Sequence, residues 1–227
     1  MTDFFRFPHT PHLAWLDTGK PRDDKVLAPT EANSLLAGEV IVEEKLDGAN
    51  LGVSGDPSGQ LRLQNRGEYL IPPFLGQFSR AAAWIACHEN DLAPLLGNTL
   101  ILFGEWCAAR HSVVYDHLPD WFVAFDIYDR TAGKFWSTQR RDAWAAALDL
   151  AVAPVLARRR MTLAELKSLV MADTSRFGTT PLEGVIVRRE GPAFLEQRAK
   201  LVRPDFTQAI GEHWRSRRIE WNALAHA

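Results

Sequence analysis

Cysteine is scarce in this chain: Cys87 and Cys107 are the only two, far apart and in no metal-like spacing. That excludes a disulfide-stapled scaffold or a cysteine-zinc cluster, and predicts free thiols in a reducing cytoplasm. No apolar run approaches the ~20 residues of a membrane span. The start, Met1-Thr2-Asp3-Phe4-Phe5-Arg6, lacks a signal peptide's apolar middle and cleavage site, so no membrane partner is expected. Neither sign of charge dominates, since 26 Lys and Arg meet 28 Asp and Glu for a net −2. A protein that lives by nonspecific duplex binding is usually basic, so a polynucleotide here needs a local patch or a presenting partner. Arg158-Arg159-Arg160 and Trp214-Arg215-Ser216-Arg217-Arg218 are candidate patches, and each also reads as a solvated basic face on a helix or loop. Internal repeats and low-complexity linkers are absent as well.

What is present is an ordinary globular composition over 227 residues, enough for one good-sized core. The expectation is a single domain over 1–227, with a Pro- and His-rich arm at 1–29 and a helical tail at 206–227. Thr30 is placed to cap a helix over 31–36 closed by Gly38. Strands are predicted over 40–44, 51–54 and 60–64, the last alternating Leu61 and Leu63 with outward Arg62 and Gln64. Asp56-Pro57-Ser58-Gly59 is a turn signal between two of them. Helices follow at 78–88, 140–150 and 162–172, the last opened by the capping box Thr162-Leu163-Ala164-Glu165. Strands are predicted over 99–106, 121–129, 184–188 and 198–202. Strands and helices without regular βαβ alternation give an α+β fold with largely antiparallel sheets.

Several stations carry chemistry. Glu44-Lys45-Leu46-Asp47-Gly48-Ala49-Asn50 sets a lysine before an Asp-Gly turn. Nearby cations or a metal could depress the lysine's pKa from its ordinary ~10.4 and free its lone pair. Arg66 stands before Gly67 at a strand end, where its fork suits a phosphate or ribose. Glu105 ends the apolar run Leu102-Phe103-Gly104 and so needs a partner, whether ribose, metal-bound water or cation. The run from Trp121 to Asp129 offers aromatics and the pair Phe125-Asp126, while Glu183-Gly184-Val185 repeats the glutamate at a strand end. Arg198 and Lys200, at i and i+2, put two cations on one strand face. Each station taken alone also fits a surface turn or a guarded sheet edge.

In order, these stations resemble the motifs of the covalent nucleotidyltransferase superfamily of ATP-dependent ligases and capping enzymes. The resemblance runs from Lys45 to Lys200 and is closest to the RNA ligase 2 type. Asn50 stands where DNA ligases and capping enzymes usually carry Arg; Phe125-Asp126 and Ala153-Pro154-Val155-Leu156 also match that branch. The resemblance implies a ligase-type, ATP-grasp-like adenylyltransferase domain, two mainly antiparallel sheets flanked by helices with ATP between them. It implies Lys45 as the adenylylated nucleophile, with Glu105 on the ribose, Phe125 stacked on adenine and Arg66 on the ribose or a 5′-phosphate. The backbone around Glu44 would face the adenine edge, and Lys200, with Arg198 beside it, would touch the α-phosphate and help depress the lysine pKa. Asp47, Glu105 and Glu183 would reach Mg2+ or Mn2+ through waters, and Asn50 would border the nucleotide. The implied partners are RNA with 5′-phosphate and 3′-hydroxyl ends, and a separate end-healing or nucleic-acid-binding protein. The alternatives carried forward are a minimal DNA nick ligase, a GTP-using capping-type enzyme, and a noncatalytic nucleotide-binding subunit.

Two departures are visible. Arg198 replaces the usual first lysine of the basic pair, and the residues after Arg203 are too few for the OB or helical domain that relatives append, so no appended domain is expected. Two clusters lie outside the motifs. Arg110, His111, Ser112 and Tyr115 follow Glu105 and fit either a substrate-phosphate contact or a satisfied surface loop. His9 and His12 lie three apart with no Cys and only distant carboxylates, so packing of the arm is expected rather than zinc.

Overall fold

In Val40-Ile41-Val42-Glu43-Glu44-Lys45 the alternation of a strand sends Val40 and Val42 one way, Ile41, Glu43 and Lys45 the other. This division organises the molecule. The computed structural model describes residues 4–19, 25–56, 58–209 and 219–225. The first half runs α1 (Pro29–Leu36), β1 (Glu39–Lys45), β2 (Ala49–Gly55), β3 (Leu61–Gln64), β4 (Tyr69–Leu70), α2 (Ala81–Leu96) and β5 (Leu100–Trp106). The second runs β6 (Phe122–Asp129), β7 (Lys134–Phe135), α3 (Thr138–Ala146), β8 (Val155–Arg160), α4 (Leu163–Ala172), β9 (Gly184–Glu190), β10 (Leu195–Val202) and α5 (Pro204–Ala209). The strands form two antiparallel sheets, ordered β10-β9-β1-β8 and β4-β3-β2-β5-β6-β7. The α+β class with two antiparallel sheets is as expected.

Each sheet buries its outer face under helices. Val40, Val42, Val185, Val187 and Leu201 of the four-stranded sheet pack with Leu35 of α1 and Leu166 and Val170 of α4. Leu51, Val53, Leu102 and Trp106 of the six-stranded sheet pack with Trp84, Leu92 and Leu96 of α2. At roughly 1.5–3 kcal/mol for each large apolar side chain, these two cores supply the main driving force for folding. The inner faces are left to carry polar groups.

A buried ion network joins those inner faces. Arg188 of β9 meets Glu43 of β1 at 3.3 Å, Asp126 of β6 at 3.0 Å and Glu190 at 2.6 Å. Arg141 of α3 pairs with Glu43 at 2.6 Å, and Arg198 of β10 pairs with Asp126. Burial favours loss of the Arg188 proton, but the surrounding carboxylates outweigh it and hold the guanidinium charged.

The arm adds to the four-stranded sheet. Leu13 N–H donates to the Lys200 carbonyl at 2.7 Å, and Lys200 N–H donates to that of Pro11 at 2.8 Å. Phe5 stacks on Tyr128 at 3.7 Å, and Phe7 packs edge-on against Phe125. Gln64, expected to face outward, is fully buried because the arm crosses it: its Nε2 donates to the Phe5 carbonyl at 2.8 Å.

Other expectations need correction. Thr30 does not cap α1, which starts at Pro29 with Ala28 at the cap position. The ring's fixed φ suits the first helical position, and Glu31 accepts the Ala28 N–H at 2.8 Å. The helix predicted over 78–88 starts later and runs on through Pro94 to Leu96, because Ala81, Trp84, Leu92 and Leu96 make one buried stripe. The helix predicted over 140–150 begins at Thr138 behind the Ser137 cap and ends at Ala146. The arginine run at 158–160 lies on strand β8 rather than on a helix or loop, with its charges along a sheet edge. The Thr162–Glu165 capping box is present. The helical tail does not hold for 219–225, which has no helix and forms bridges at Ala109–Trp221 and Leu118–Leu224. There the buried Asn222 donates to the Cys107 carbonyl at 2.8 Å and accepts the Tyr115 N–H at 3.0 Å. The patch from Trp214 to Arg218 lies outside the described residues. No helix among them is long and apolar enough to cross a membrane.

Candidate active site

Between the inner faces lies a cavity of about 790 Å³. Lys45, the last residue of β1, enters its floor, and its Nζ lies 2.6 Å from both carboxylate oxygens of Glu183. Two glycines let the backbones close around this pair. A Cβ on Gly48 would lie 2.5 Å from the Trp106 carbonyl oxygen, and one on Gly184, opposite Lys45 in the β1–β9 pairing, 2.3 Å from that of Leu201. Side chains larger than hydrogen do not fit there.

The electrostatics follow from crowding several carboxylates around one ammonium. Burial pushes the Glu105 carboxyl up to about 7, with Glu183 and Asp47 adding to the shift and Lys45 opposing it. Burial likewise lifts Glu183 to about 7 against the pull of Lys45. For Lys45, burial favours the neutral amine, but Glu183, Glu105 and Asp47 outweigh it and raise its pKa. The expected depression of the lysine pKa is thus reversed, because the groups nearest the amine are acids. Glu105 is steadied by the Gly48 N–H at 3.1 Å.

Most predicted stations converge. Glu44, Lys45, Asn50, Arg66, Glu105, Phe125, Glu183, Arg198 and Lys200 all border the cavity. Glu44 is also tied from behind, its carboxylate accepting the Arg176 N–H at 2.9 Å, and burial raises its pKa. Arg66 sits on a turn that Asn65 locks by accepting the Gly67 N–H at 2.7 Å.

Two stations differ in kind. Asp47 does not border the cavity: one carboxylate oxygen accepts the N–H groups of Ser112 and Val113 at 2.6 and 2.8 Å, fastening the lysine turn to the loop after Glu105. The expected reach of Asp47 to a metal through waters is therefore not built into the cavity wall, as it is for Glu105 and Glu183. Arg198 borders the cavity, but its guanidinium pairs with Asp126 and lies 4.4 Å from the rings of both Phe7 and Phe135. Its charge joins the sheets. The loop from Arg110 to Tyr115 is a satisfied one, with Arg110 on Glu220 at 2.7 Å, His111 on Gln77 at 2.9 Å and the Tyr115 hydroxyl accepting the Asp47 N–H.

Sequence reasoning missed the arm's share of the wall (Phe7, His9, Thr10, His12 and Trp15) and the bordering Glu43 and Arg188, while Asp126, marked by its pair with Phe125, borders the cavity as well. The signal for Glu43 was there, a charge two residues before Lys45 on the same strand face. The arm carried no such signal, because its position depends on pairing with β10.

Among the described residues, no cluster of three or more His, Cys, Asp or Glu is arranged to hold a metal directly. Two carboxylates facing the cavity, Glu105 and Glu183, fit a hard cation that keeps most of its waters.

A strand-end lysine ringed by carboxylates, in a cleft between two antiparallel sheets, marks a ligase domain of the nucleotidyltransferase type. A family model described as RNA ligase matches residues 38–202, and the chain belongs to that family. A search of curated proteins found no match. Among solved structures, an archaeal ATP-dependent RNA ligase aligns over 86% of this chain and 47% of its own, at 18% identity and TM-score 0.57. A mutant Naegleria gruberi RNA ligase with ATP and Mn aligns over 78% and 53%, at 17% identity and TM-score 0.60. A chain described as an ATP-dependent DNA ligase from Aquifex aeolicus aligns over 88% and 50%, at 16% identity and TM-score 0.54. The chain thus spans about half the length of each of these structures, and the likeness is one of fold.

Proposed function

We propose that the chain is an ATP-dependent RNA ligase that works through a lysyl-AMP adduct on Lys45. The observation that carries this reading is the Lys45 amine, 2.6 Å from both Glu183 oxygens on the floor of the cavity, with Glu105 close enough to shift its pKa. The ATP and Mn in the Naegleria gruberi enzyme of the same fold support the choice of nucleotide and a divalent ion. Asn50 at the cavity wall supports RNA over DNA through the resemblance already described.

Lys45 must first lose a proton, and Glu183 is the acceptor in reach. The amine then forms an N–P bond to the α-phosphorus while the bridging P–O bond breaks and pyrophosphate departs with the electron pair. A 5′-phosphate oxygen of RNA next attacks that phosphorus and breaks the N–P bond, restoring Lys45. A 3′-hydroxyl finally displaces AMP to form the phosphodiester. Glu105 and Glu183 would hold a hydrated Mg2+ or Mn2+, whose charge offsets theirs and favours the neutral amine. Lys200 and Arg66 supply fixed positive charge where the phosphates sit, Phe125 a face for the base, and Glu44 the edge of its pocket. Positioning and electrostatics, rather than further covalent chemistry, carry the rate.

In this reading, 1–227 acts as a nucleotidyltransferase domain in RNA repair in the cytoplasm, with an end-healing or strand-gripping protein as its partner. The test is denaturing electrophoresis after incubation with labelled ATP, GTP or dATP. Wild type should retain label from ATP and Lys45→Ala should not; label on Lys45→Ala would overturn the assignment of the nucleophile. Sealing of nicked RNA but not nicked DNA should follow, and the reverse preference would overturn the substrate.

A further inference from the structure

The arm residues at the cavity wall have no part in the mechanism above, and they precede the segment matched by the family model, which starts at residue 38. Their placement is set by backbone pairing. His12 bridges Lys200 on one side and Val26 on the other, so the arm lies in the four-stranded sheet next to β10. Directly paired residues on neighbouring strands project to the same face. The register therefore builds one continuous row across the sheet: Glu43 opposite Ile186, Ile186 opposite Lys200, Lys200 opposite His12. All four border the cavity. The neighbouring row is Lys45, Gly184 and Val202. His12 is 3% exposed, and its ring is fixed edge-on by Trp15 at 4.9 Å.

We propose that the arm forms the phosphate-tail end of the nucleotide site, with His12 beside Lys200 contacting the β- and γ-phosphates that leave as pyrophosphate. This rests on the reading of Lys45 as nucleophile. With the α-phosphorus at Lys45, the base is directed toward Phe125 and Asn50 of the six-stranded sheet, and the tail toward the Lys200–His12 end of the row. At about 4.8 Å between strands, His12 stands about 14 Å across the sheet from β1, a gap that two inward side chains and a polyphosphate can share. The arm offers the right chemistry, an imidazole at His9 and at His12 and a hydroxyl at Thr10, all at the wall. Among the described arm residues at the wall the one carboxylate is Asp17, which accepts the Thr18 N–H at 2.6 Å. His12 is a binding residue in this scheme, and it holds its place through backbone bonds that a side-chain change leaves intact.

The test measures noncovalent binding in the Lys45→Ala full-length chain, which forms no adduct in this scheme, with ATP, AMP and pyrophosphate as probes. Adding His12→Ala should weaken ATP and pyrophosphate about tenfold, the worth of one charge-assisted hydrogen bond, and AMP by less than about twofold. His12→Gln, which keeps a side-chain N–H donor, should recover part of the loss. Equal weakening of ATP and AMP would overturn the proposal in favour of an adenosine contact or a merely structural role. Unchanged ATP binding would overturn it outright. Loss confined to a 5′-phosphorylated RNA oligonucleotide would overturn it in favour of a polynucleotide contact. Lys45→Ala protein that binds no ATP at all would instead defeat the nucleotide site itself, and with it the proposed function.

Discussion

Lys45 stands among acids, and in the proposed mechanism its proton is the first thing the site has to lose. Glu105 and Glu183, ordinarily at 4.5, titrate near 7 when folded. Between those values the folded chain binds protons that the unfolded chain does not, so these groups contribute stability at low pH that is lost as pH rises through about 7. Each can contribute a slope of at most about 1.4 kcal/mol per pH unit in that window. The ligand-free protein should therefore melt at a lower temperature at about pH 8 than at about pH 5, and Glu183→Gln should flatten the dependence. A melting series on wild type and variant checks this; equal slopes would remove the raised carboxyl. Asp47 acts through a different term. Asp47→Ala leaves the Ser112 and Val113 N–H groups without their acceptor, at a cost of about 1–3 kcal/mol. Thermal unfolding should show that loss together with weakened labelling, and Asp47→Asn, which keeps one acceptor oxygen, should lose less.

At the scale of elements, the sheets are joined by charge as well as by apolar packing. Arg188 is the hub, since it meets carboxylates from β1 and β6 and one of its own strand. Arg188→Ala would leave Glu43 and Glu190 short of counter-charge and Asp126 with Arg198 alone. Breaking such a buried network costs about 3–5 kcal/mol. The urea midpoint should fall accordingly with little change in slope; a shift under about 1 kcal/mol would mean that water already screens the network. The strands around the chemistry were legible because each opens on an apolar run, as Val40-Ile41-Val42 and Leu100-Ile101-Leu102-Phe103 do, or alternates, as Leu61-Arg62-Leu63-Gln64 does. β8 was not, since a triple arginine hides the period that its place at a sheet edge permits. The length of α2 was not legible either, because Pro94 and the polar run His88-Glu89-Asn90-Asp91 read as a stop, while Leu92 and Leu96 carry the buried stripe onward.

For the whole molecule, the cavity belongs to neither sheet alone, so a nucleotide that fills it bridges both and stabilises them together. At a hundredfold excess over its dissociation constant, ATP should add about 2.7 kcal/mol to stability. Differential scanning calorimetry with and without ATP checks this on Lys45→Ala, which in the proposed mechanism cannot trap an adduct. No shift in melting temperature would mean that the nucleotide does not bridge the folded sheets. How much of this was written in the sequence differs between fold and site. Local order was enough for the α+β class, most strands, the Thr162 cap, and the motif series from Lys45 to Lys200, because short motifs at strand ends depend on neighbours in the chain. Charge alone could not say which of these groups serve the ligand and which serve the fold: Asp47 turned to the loop at Ser112, Arg198 to Asp126, and Gln64 under the arm. Those choices depend on partners scores of residues away, brought close only when the strands register. The protonated state of Lys45 is tertiary for the same reason, since Glu105 and Glu183 reach it from separate strand ends. So is the arm's place in the cavity wall, decided by His12 pairing with Lys200. Sequence by itself determined which chemical groups the chain carries and in what local geometry; tertiary structure decided which groups meet, because burial and Coulomb terms depend on distance through space and not along the chain.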